Sequence, residues 1–332
     1  MIVTVTANPS LDLTYSLDDG SELTDPAVEV HRARFASLEA SGKGVNVSRA
    51  LSLAGRPSVA ILFAGGTTGH QLVELLATEG VSYRTVVQAG STRVNTTVLT
   101  PGGPTTKVNA PGNAVSAAEI DNLVVAVNNE LVTLSSDLAA DTAPGWLLIC
   151  GSLPPGVGVD RLIGRLVALA QAAGWRVAVD SSEAGLTAGF DAGADLLAPN
   201  RAELNAVRPG PPAIGLAAVI ARATAVARER GCELLVSLGA DGALWTDGRR
   251  TLHARGPVVT PVNSAGAGDA LLAGWFSADP DVDPAIRLAT AVAWGTAACL
   301  VPTTVAVGAT RPSIESIVVE SVPVADSPGA PP

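Results

Sequence analysis

The sequence predicts an α/β fold: a doubly wound, mostly parallel sheet flanked by helices, with a small β-sheet lid. Three observations lead there. Short β-like runs alternate with Ala-rich segments of helical period, the rhythm of βαβ units. The helical candidates stop at glycines, Gly55, Gly80, Gly174 and Gly231, where helix ends are expected. Hydrophobic residues make up 47% of the 332 residues and aromatics only 3%, so the core must be Ala, Val and Leu, which suits a sheet covered by Ala-rich helices.

The first strand is Ile2–Thr6, where Ile and Val alternate with Thr. Further strands are expected at Ser58–Ala64, Trp146–Cys150, Arg176–Asp180, Leu196–Ala198 and Leu234–Leu238, with helices at Val45–Ala54, His70–Glu79, Asp160–Ala173 and Ile214–Arg230. Leu11–Ser37 and Ser91–Val108 break the rhythm, being Thr/Val-rich and alternating without helical period. They read as antiparallel strands added to one edge of the sheet, a lid rather than an independent domain. One α/β domain is therefore expected over residues 1–310, with lid segments at about 11–37 and 91–108. Residues 311–332 form a C-terminal segment whose end, Asp326-Ser327-Pro328-Gly329-Ala330-Pro331-Pro332, cannot bury a core and is expected to be disordered.

Several function classes drop out. The net charge of −10 is spread along the chain and argues against a surface for nucleic-acid backbones, and the scarcity of aromatic rings argues against a base-stacking platform. No run reaches the roughly 20 apolar residues of a membrane span. The N-terminus lacks a basic region followed by an apolar stretch, so no secretory signal is expected. Cys150, Cys232 and Cys299 fit neither a disulfide framework nor a zinc spacing, and are expected to be buried, reduced thiols of a cytoplasmic protein. His31, His70 and His253 share no metal-ligand spacing.

Four segments carry chemistry. In Ser264-Ala265-Gly266-Ala267-Gly268-Asp269 small residues lead to an apolar run, as in a loop entering a helix. Gly266 and Gly268 let the backbone approach a ligand, free N–H groups there attract anions, and Asp269 can take a proton from a hydroxyl. The plain alternative is a Gly-rich cap with an ordinary first-turn acid. Ser41-Gly42-Lys43-Gly44-Val45-Asn46 places backbone donors, a cation and an amide just before a helix, a group that suits a sugar phosphate; its alternative is a solvated turn. Asn200 and Glu203 share one face of a first helical turn, either as a capping pair or as outer-sphere support for magnesium near ATP phosphates. Cys150-Gly151-Ser152-Leu153-Pro154-Pro155-Gly156 follows a strand at the edge where open α/β sheets bind ligands, or is simply a rigid turn. Two stricter motifs fail. Gly266-Ala267-Gly268 has Leu271 where a dinucleotide fingerprint needs glycine, and Gly44 stands where a P-loop needs Ser or Thr.

The order of these segments is more specific than any of them singly. Asn8-Pro9-Ser10-Leu11-Asp12, Gly42-Lys43-Gly44-Val45-Asn46, Thr92-Arg93 and Gly151-Ser152-Leu153-Pro154-Pro155-Gly156 precede Asp180-Ser181-Ser182, Pro199-Asn200-Arg201-Ala202-Glu203, Ser237-Leu238-Gly239-Ala240-Asp241-Gly242 and Gly266-Ala267-Gly268-Asp269. From Met1 to about Val307 the chain resembles the PfkB, or ribokinase-like, carbohydrate kinases, in the branch of 1-phosphofructokinases and tagatose-6-phosphate kinases. The resemblance implies a ribokinase-like fold, ATP and Mg2+, and a lid often used for homodimerisation. It implies Asp269 as catalytic base, with the Gly266, Ala267 and Gly268 amides as anion hole. Asp12, Gly42, Asn46 and Ser152 would bind the sugar, and Lys43 and Arg93 its phosphate. Asn200, Ser237, Gly239 and Gly242 would serve the nucleotide, and Glu203 magnesium, indirectly. Potassium near Asn263–Ala265 is left open. The five Trp residues are expected in the core, Trp275 and Trp294 nearest the nucleotide.

Gly-Lys-Gly at 42–44 and Thr106-Lys107-Val108-Asn109-Ala110-Pro111-Gly112 look most like fructose-1-phosphate kinases, giving fructose 1,6-bisphosphate; tagatose 6-phosphate and fructose 6-phosphate are the alternatives. The chain departs from the family pattern at Ser41, Ala198 and Glu183, where Gly, Lys and Gly are usual. Ala198 and Glu183 would favour a sugar-phosphate- or nucleotide-binding regulator on a degenerate kinase scaffold, against which the intact Asp269 and its glycines stand. A dehydrogenase on the same sheet would need the missing third glycine.

Overall fold

The computed structural model describes residues 1–18, 30–100, 102–103, 105–137, 145–156, 158–208, 210–305 and 311–323. In chain order the elements are β1 Ile2–Thr6, β2 Ser10–Leu17, β3 Ala33–Ser41, α1 Lys43–Leu53, β4 Ser58–Ala64, α2 Gly66–Thr78, β5 Tyr83–Val87, β6 Arg93–Leu99, β7 Thr105–Val108, α3 Ala117–Asp137, β8 Trp146–Cys150 and α4 Val159–Ala172. There follow β9 Arg176–Asp180, α5 Glu183–Ala192, β10 Leu196–Leu197, α6 Leu204–Val207, α7 Leu216–Arg230, β11 Glu233–Ser237, β12 Ala243–Thr246, β13 Thr251–Arg255, α8 Ala267–Ser277, α9 Pro284–Ala298 and β14 Val318–Ser321.

The main sheet has ten strands in the order β14-β13-β12-β11-β10-β9-β8-β1-β4-β5. From β5 to β11 all neighbours are parallel; β12, β13 and β14 extend the sheet antiparallel. The central strands are buried on both faces, so Ile61, Leu62, Phe63, Leu147 and Leu148 are almost wholly inaccessible. One face packs on α3, α4, α5 and α7 through residues such as Leu123, Leu166, Leu186 and Val219. The other packs on α1, α8 and α9 through Leu51, Leu272, Trp275 and Leu288. Among the described residues no helix is long and apolar enough to cross a membrane.

Two expectations are corrected. The lid strands do not extend an edge of the main sheet; they form a separate four-stranded sheet in the order β3-β2-β6-β7. Nor are they all antiparallel, since β2 pairs in parallel with β6. The reason is connectivity: a hairpin reverses direction, but β6 returns only after the chain has crossed β4, α2 and β5. Of the expected lid segments, residues 19–29, 101 and 104 lie outside the described residues, as does the tail from 324. Beyond residue 310, β14 pairs with β13 in the register Ala254↔Val319, and Ile317 is buried in the same cluster as α9.

Candidate active site

The chain order of the parallel strands reverses at β1, which lies between β8 and β4, and ligands in open α/β sheets bind at such a switch point, outside the carboxyl ends of the strands. A cleft of about 700 Å³ opens there, lined by Asn8 after β1, Ser152 after β8, Asp180 at the end of β9, Asn200 after β10 and Ser237 at the end of β11. The lid closes its other side with Asp12, Arg93, Asn95, Thr97, Lys107 and Asn109.

Asp269 sits in the first turn of α8 with only 7% of its surface exposed. Its Oδ2 accepts from Asn46 Nδ2 at 2.8 Å, a bond that spans 223 positions of sequence and joins the Gly-Ala-Gly-Asp turn to the Gly-Lys-Gly turn. Burial pushes the carboxyl up to about 6; Lys43 opposes this, Asp180 adds to it, the Asn46 bond opposes it, and Asp12 adds to it. A buried carboxylate with one donor is thus poised to bind a proton near neutrality. Gly266, the N-cap, has φ of 76°, and a Cβ there would lie 1.9 Å from the carbonyl oxygen of Thr304. Gly268 differs: a Cβ would meet nothing within 4 Å, so its open side faces the cleft.

On the facing turn, Gly42 adopts φ of 120° and a Cβ would come within 2.8 Å of Thr6 Cγ2, so only glycine fits where α1 begins. Lys43 Nζ donates to Asp180 Oδ1 at 2.5 Å. Burial would lower the Lys43 ammonium, but Asp180, Asp269 and Glu203 outweigh it and hold it above its usual value.

Asp12 is enclosed by donors. Its Oδ1 accepts from Ser10 Oγ at 2.7 Å and Asn95 Nδ2 at 2.9 Å, and its Oδ2 from Ser41 Oγ at 2.7 Å. Arg93 donates from Nη1 to Ala110 O at 2.7 Å and from Nη2 to Asn8 O at 2.9 Å, while its buried Nε has no partner among the described residues. Burial pushes the guanidinium down, with Asp12 opposing. Asn200 and Glu203 form a reciprocal cap: Asn200 Oδ1 accepts from the amides of Ala202 and Glu203, both at 2.9 Å, and Glu203 Oε2 accepts from the amide of Asn200 at 2.8 Å.

Asp12, Gly42, Lys43, Asn46, Arg93, Ser152, Asn200, Glu203, Ser237, Gly266, Gly268 and Asp269 all line this one cleft. Ala267, Gly239 and Gly242 do not. Gly242 has a packing reason instead, since a Cβ would strike Ala254 O at 1.9 Å. Trp275 and Trp294, expected near the nucleotide, also lie outside the cleft lining; Trp275 is fully buried and stacks on Trp245 at 5.9 Å. Asn263 braces its own loop, donating to Pro302 O and accepting from the Ala265 amide, both at 2.9 Å. Cys150 is buried beneath the site, where burial, Asp180 and Asp269 push its thiol well up.

Sequence reasoning assigned no role to Asn95, Thr97, Lys107, Asn109, Asp180 or Thr304, all of which line the cleft. Asn95 and Thr97 were within reach, because alternate residues of a strand share a face and Arg93 begins the series. Lys107 follows from register, lying opposite Thr97.

Comparison with known proteins gives one consistent picture. The profile of the family described as pfkB family carbohydrate kinase matches residues 5–301. A 1-phosphofructokinase of Haloferax volcanii is 36% identical over 282 residues, 84% of each chain. The ATP-dependent 6-phosphofructokinase isozyme 2 of Escherichia coli is 32% identical over 279 residues, 82% of this chain and 83% of that one. The crystal structure of Escherichia coli phosphofructokinase-2 in complex with substrates and products superposes with a TM-score of 0.78 at 30% identity, covering 92% of this chain and 94% of the other.

Proposed function

The chain belongs to the pfkB family of carbohydrate kinases, and from that premise we propose that it transfers the γ-phosphoryl group of ATP to fructose 1-phosphate, giving fructose 1,6-bisphosphate. It is a phosphotransferase with an alcohol as acceptor, and its acceptor is a fructose phosphate. The observation that carries the mechanistic reading is the Asn46–Asp269 hydrogen bond, which brings a buried carboxylate with raised proton affinity beside the Gly42–Asn46 turn.

In this reading Asp269 takes the proton from the acceptor hydroxyl, and the amides of the turn at Gly266 and Gly268, which line the cleft, receive the charge of the transferring phosphoryl group. Asp12, Gly42, Asn46 and Ser152 hold the sugar. Asp12, already oriented by three donors, needs no rearrangement to accept from a sugar hydroxyl. Arg93 and Lys43 hold the phosphate already on the sugar, and Lys107, exposed on the lid, joins them. Asn200 and Ser237 serve ATP, while Gly239 and Gly242, outside the cleft lining, shape the turn that follows Ser237.

Mg2+ would supply neutralisation of charge on the transferring phosphates. Among the described residues no cluster of three or more His, Cys, Asp or Glu could hold a metal, which suits an ion that arrives on ATP and needs only one or two protein carboxylates. Glu203 and Asp180, both lining the cleft, fit that need.

The face of the lid turned away from the cleft exposes Tyr15, Val94 and Val108, and these support a homodimer formed through the lid. Val94→Glu, followed by light scattering, should yield a monomer; an unchanged mass would rule this surface out.

Fructose 6-phosphate is the second reading, favoured by the Escherichia coli relative that acts on it by name. ATP consumption with fructose 1-phosphate, fructose 6-phosphate and tagatose 6-phosphate decides between them. The highest kcat/KM is expected with fructose 1-phosphate. A preference for either other sugar overturns the isomer, and no turnover with any of them overturns the kinase reading in favour of a binding regulator.

A further inference from the structure

Behind the Gly266–Gly268 turn lies an ionic cluster, buried at Arg49 and Glu39 and open to solvent at Glu79, that none of these roles uses. Arg49, 2% exposed, donates to both carboxylate oxygens of Glu79, at 2.6 and 2.7 Å, and to Glu39 Oε1 at 3.2 Å. Its Nη1 reaches Ala40 O at 2.9 Å and Thr304 Oγ1 at 3.2 Å. Glu39, itself 7% exposed, accepts from the Thr304 amide at 3.2 Å and the Thr304 hydroxyl at 3.3 Å. Stability alone is a weak reason for such a cluster, because buried ion pairs gain little over apolar packing of the same volume.

Its position gives a better reason. The Thr304 carbonyl lies directly against Gly266, so closely that no side chain fits between them. Arg49 is three residues beyond Asn46 on α1, one helical turn from the donor to Asp269. Glu39 lies opposite Asp12 in the β2–β3 register, two residues before Ser41, which donates to Asp12. One cluster therefore touches lid strand β3, whose Ser41 donates to Asp12, helix α1, whose Asn46 donates to Asp269, and the loop under the glycine turn.

We infer that Glu39, Arg49 and Thr304 form a positioning device that sets the Gly266–Gly268 turn relative to Asp269 and ties it to lid strand β3. Thr304 is a positioning residue, acting through the backbone it braces. The inference rests on the reading of that turn as the site of phosphoryl charge.

The test uses Thr304→Val, which keeps shape and deletes the hydroxyl, beside Thr304→Ser, which restores it. A misplacement of 1 Å can cost on the order of 100-fold in rate, and a partly loosened turn should cost on the order of 10-fold. The expected result is that fall in kcat for Thr304→Val, with KM for ATP and sugar phosphate within about twofold of wild type and recovery in Thr304→Ser. A kcat equal to wild type, a loss confined to KM, or an equal loss in Thr304→Ser overturns the inference. Glu39→Gln and the double variant Glu39→Gln/Thr304→Val complete a cycle: losses in kcat that do not add are expected of one device, and additive losses refute it. Asp269→Asn in the same assay keeps the two readings apart. If it is inactive while Thr304→Val is normal, only the present inference falls; if it is fully active, the base assignment falls first.

Discussion

Two carboxylates line the cleft, one on the lid and one on α8, and their surroundings differ. Asp12, on the lid, accepts from Ser10, Ser41 and Asn95, all within 2.9 Å. Asp269, in the first turn of α8, accepts among the described residues from Asn46 alone and is buried, so its proton affinity rises. Full solvation by protein donors makes a fixed acceptor, good for recognising hydroxyls; partial solvation makes a base. In the proposed mechanism the difference gives binding to one end and proton transfer to the other, and each role can be broken separately.

The largest effect is expected at Asp269. Asp269→Asn should lower kcat by roughly 10²–10⁴-fold, the usual span of general-base catalysis, with little change in sugar-phosphate binding measured by calorimetry. Equal turnover would remove the contrast between the two carboxylates. Asp12→Ala should act on the other parameter. Loss of a charged acceptor is worth about 1.5–3 kcal/mol, hence a KM for the sugar phosphate about 10- to 100-fold higher, with KM for ATP unchanged.

The contrast also has a pH signature. A base that must be deprotonated makes kcat fall as pH drops through about 6. Asn46→Ala removes the one donor that stabilises the charged form, so the acid limb should move to higher pH; a limb that stays in place would separate Asn46 from the base. The same raised affinity weakens folding at neutral pH. A carboxyl raised from 3.8 to about 6 favours the folded state below its unfolded value and loses that contribution as pH rises through the folded one. The cost near pH 8 is on the order of 3 kcal/mol, so Asp269→Asn should melt higher than wild type at pH 8 and converge on it towards pH 4.

What was legible in the sequence follows the same division between main sheet and lid. Four strands of the parallel sheet were read to the residue: β4 and β8 are nearly continuous apolar runs, and β1 and β9 carry valines at alternate positions. Edge strand β5 was missed because Val86 is its only buried residue, and Arg84 and Thr85 break the pattern. Helix α3 was missed because Val124, Val125, Val127 and Val132 weigh towards strand; burial of Leu123, Val127 and Leu131 at helical spacing overrides that propensity. At the site, glycines and Asp269 were legible because their chemistry is local. The bonds to Asp12 were not: alternation puts Asn95 on the face of Arg93, but its meeting with Asp12 comes through a parallel pairing between β2 and β6 that local pattern does not reveal. The Arg49 cluster was equally hidden, its partners lying 10, 30 and 255 positions away.

The smallest expected effect tests the nucleotide end. Glu203 accepts from the Asn200 amide, and Asn200 returns two bonds, so the pair is explained as a helix cap without any ion. Yet Glu203 lines the cleft and is among the charges that hold Lys43 protonated, as a group near a phosphate-bound ion would be. Glu203→Gln separates the two uses, because an amide oxygen can still accept from Asn200 while the charge is gone. A cap residue is worth about 1 kcal/mol at most positions, and an isosteric swap that keeps the bond should leave the melting temperature close to wild type. If the charge supports Mg2+, the concentration giving half-maximal rate at saturating ATP should rise several-fold, roughly the 1 kcal/mol of one partly screened carboxylate. An unchanged Mg2+ titration would leave Glu203 as a cap alone and place the ion's protein support on Asp180.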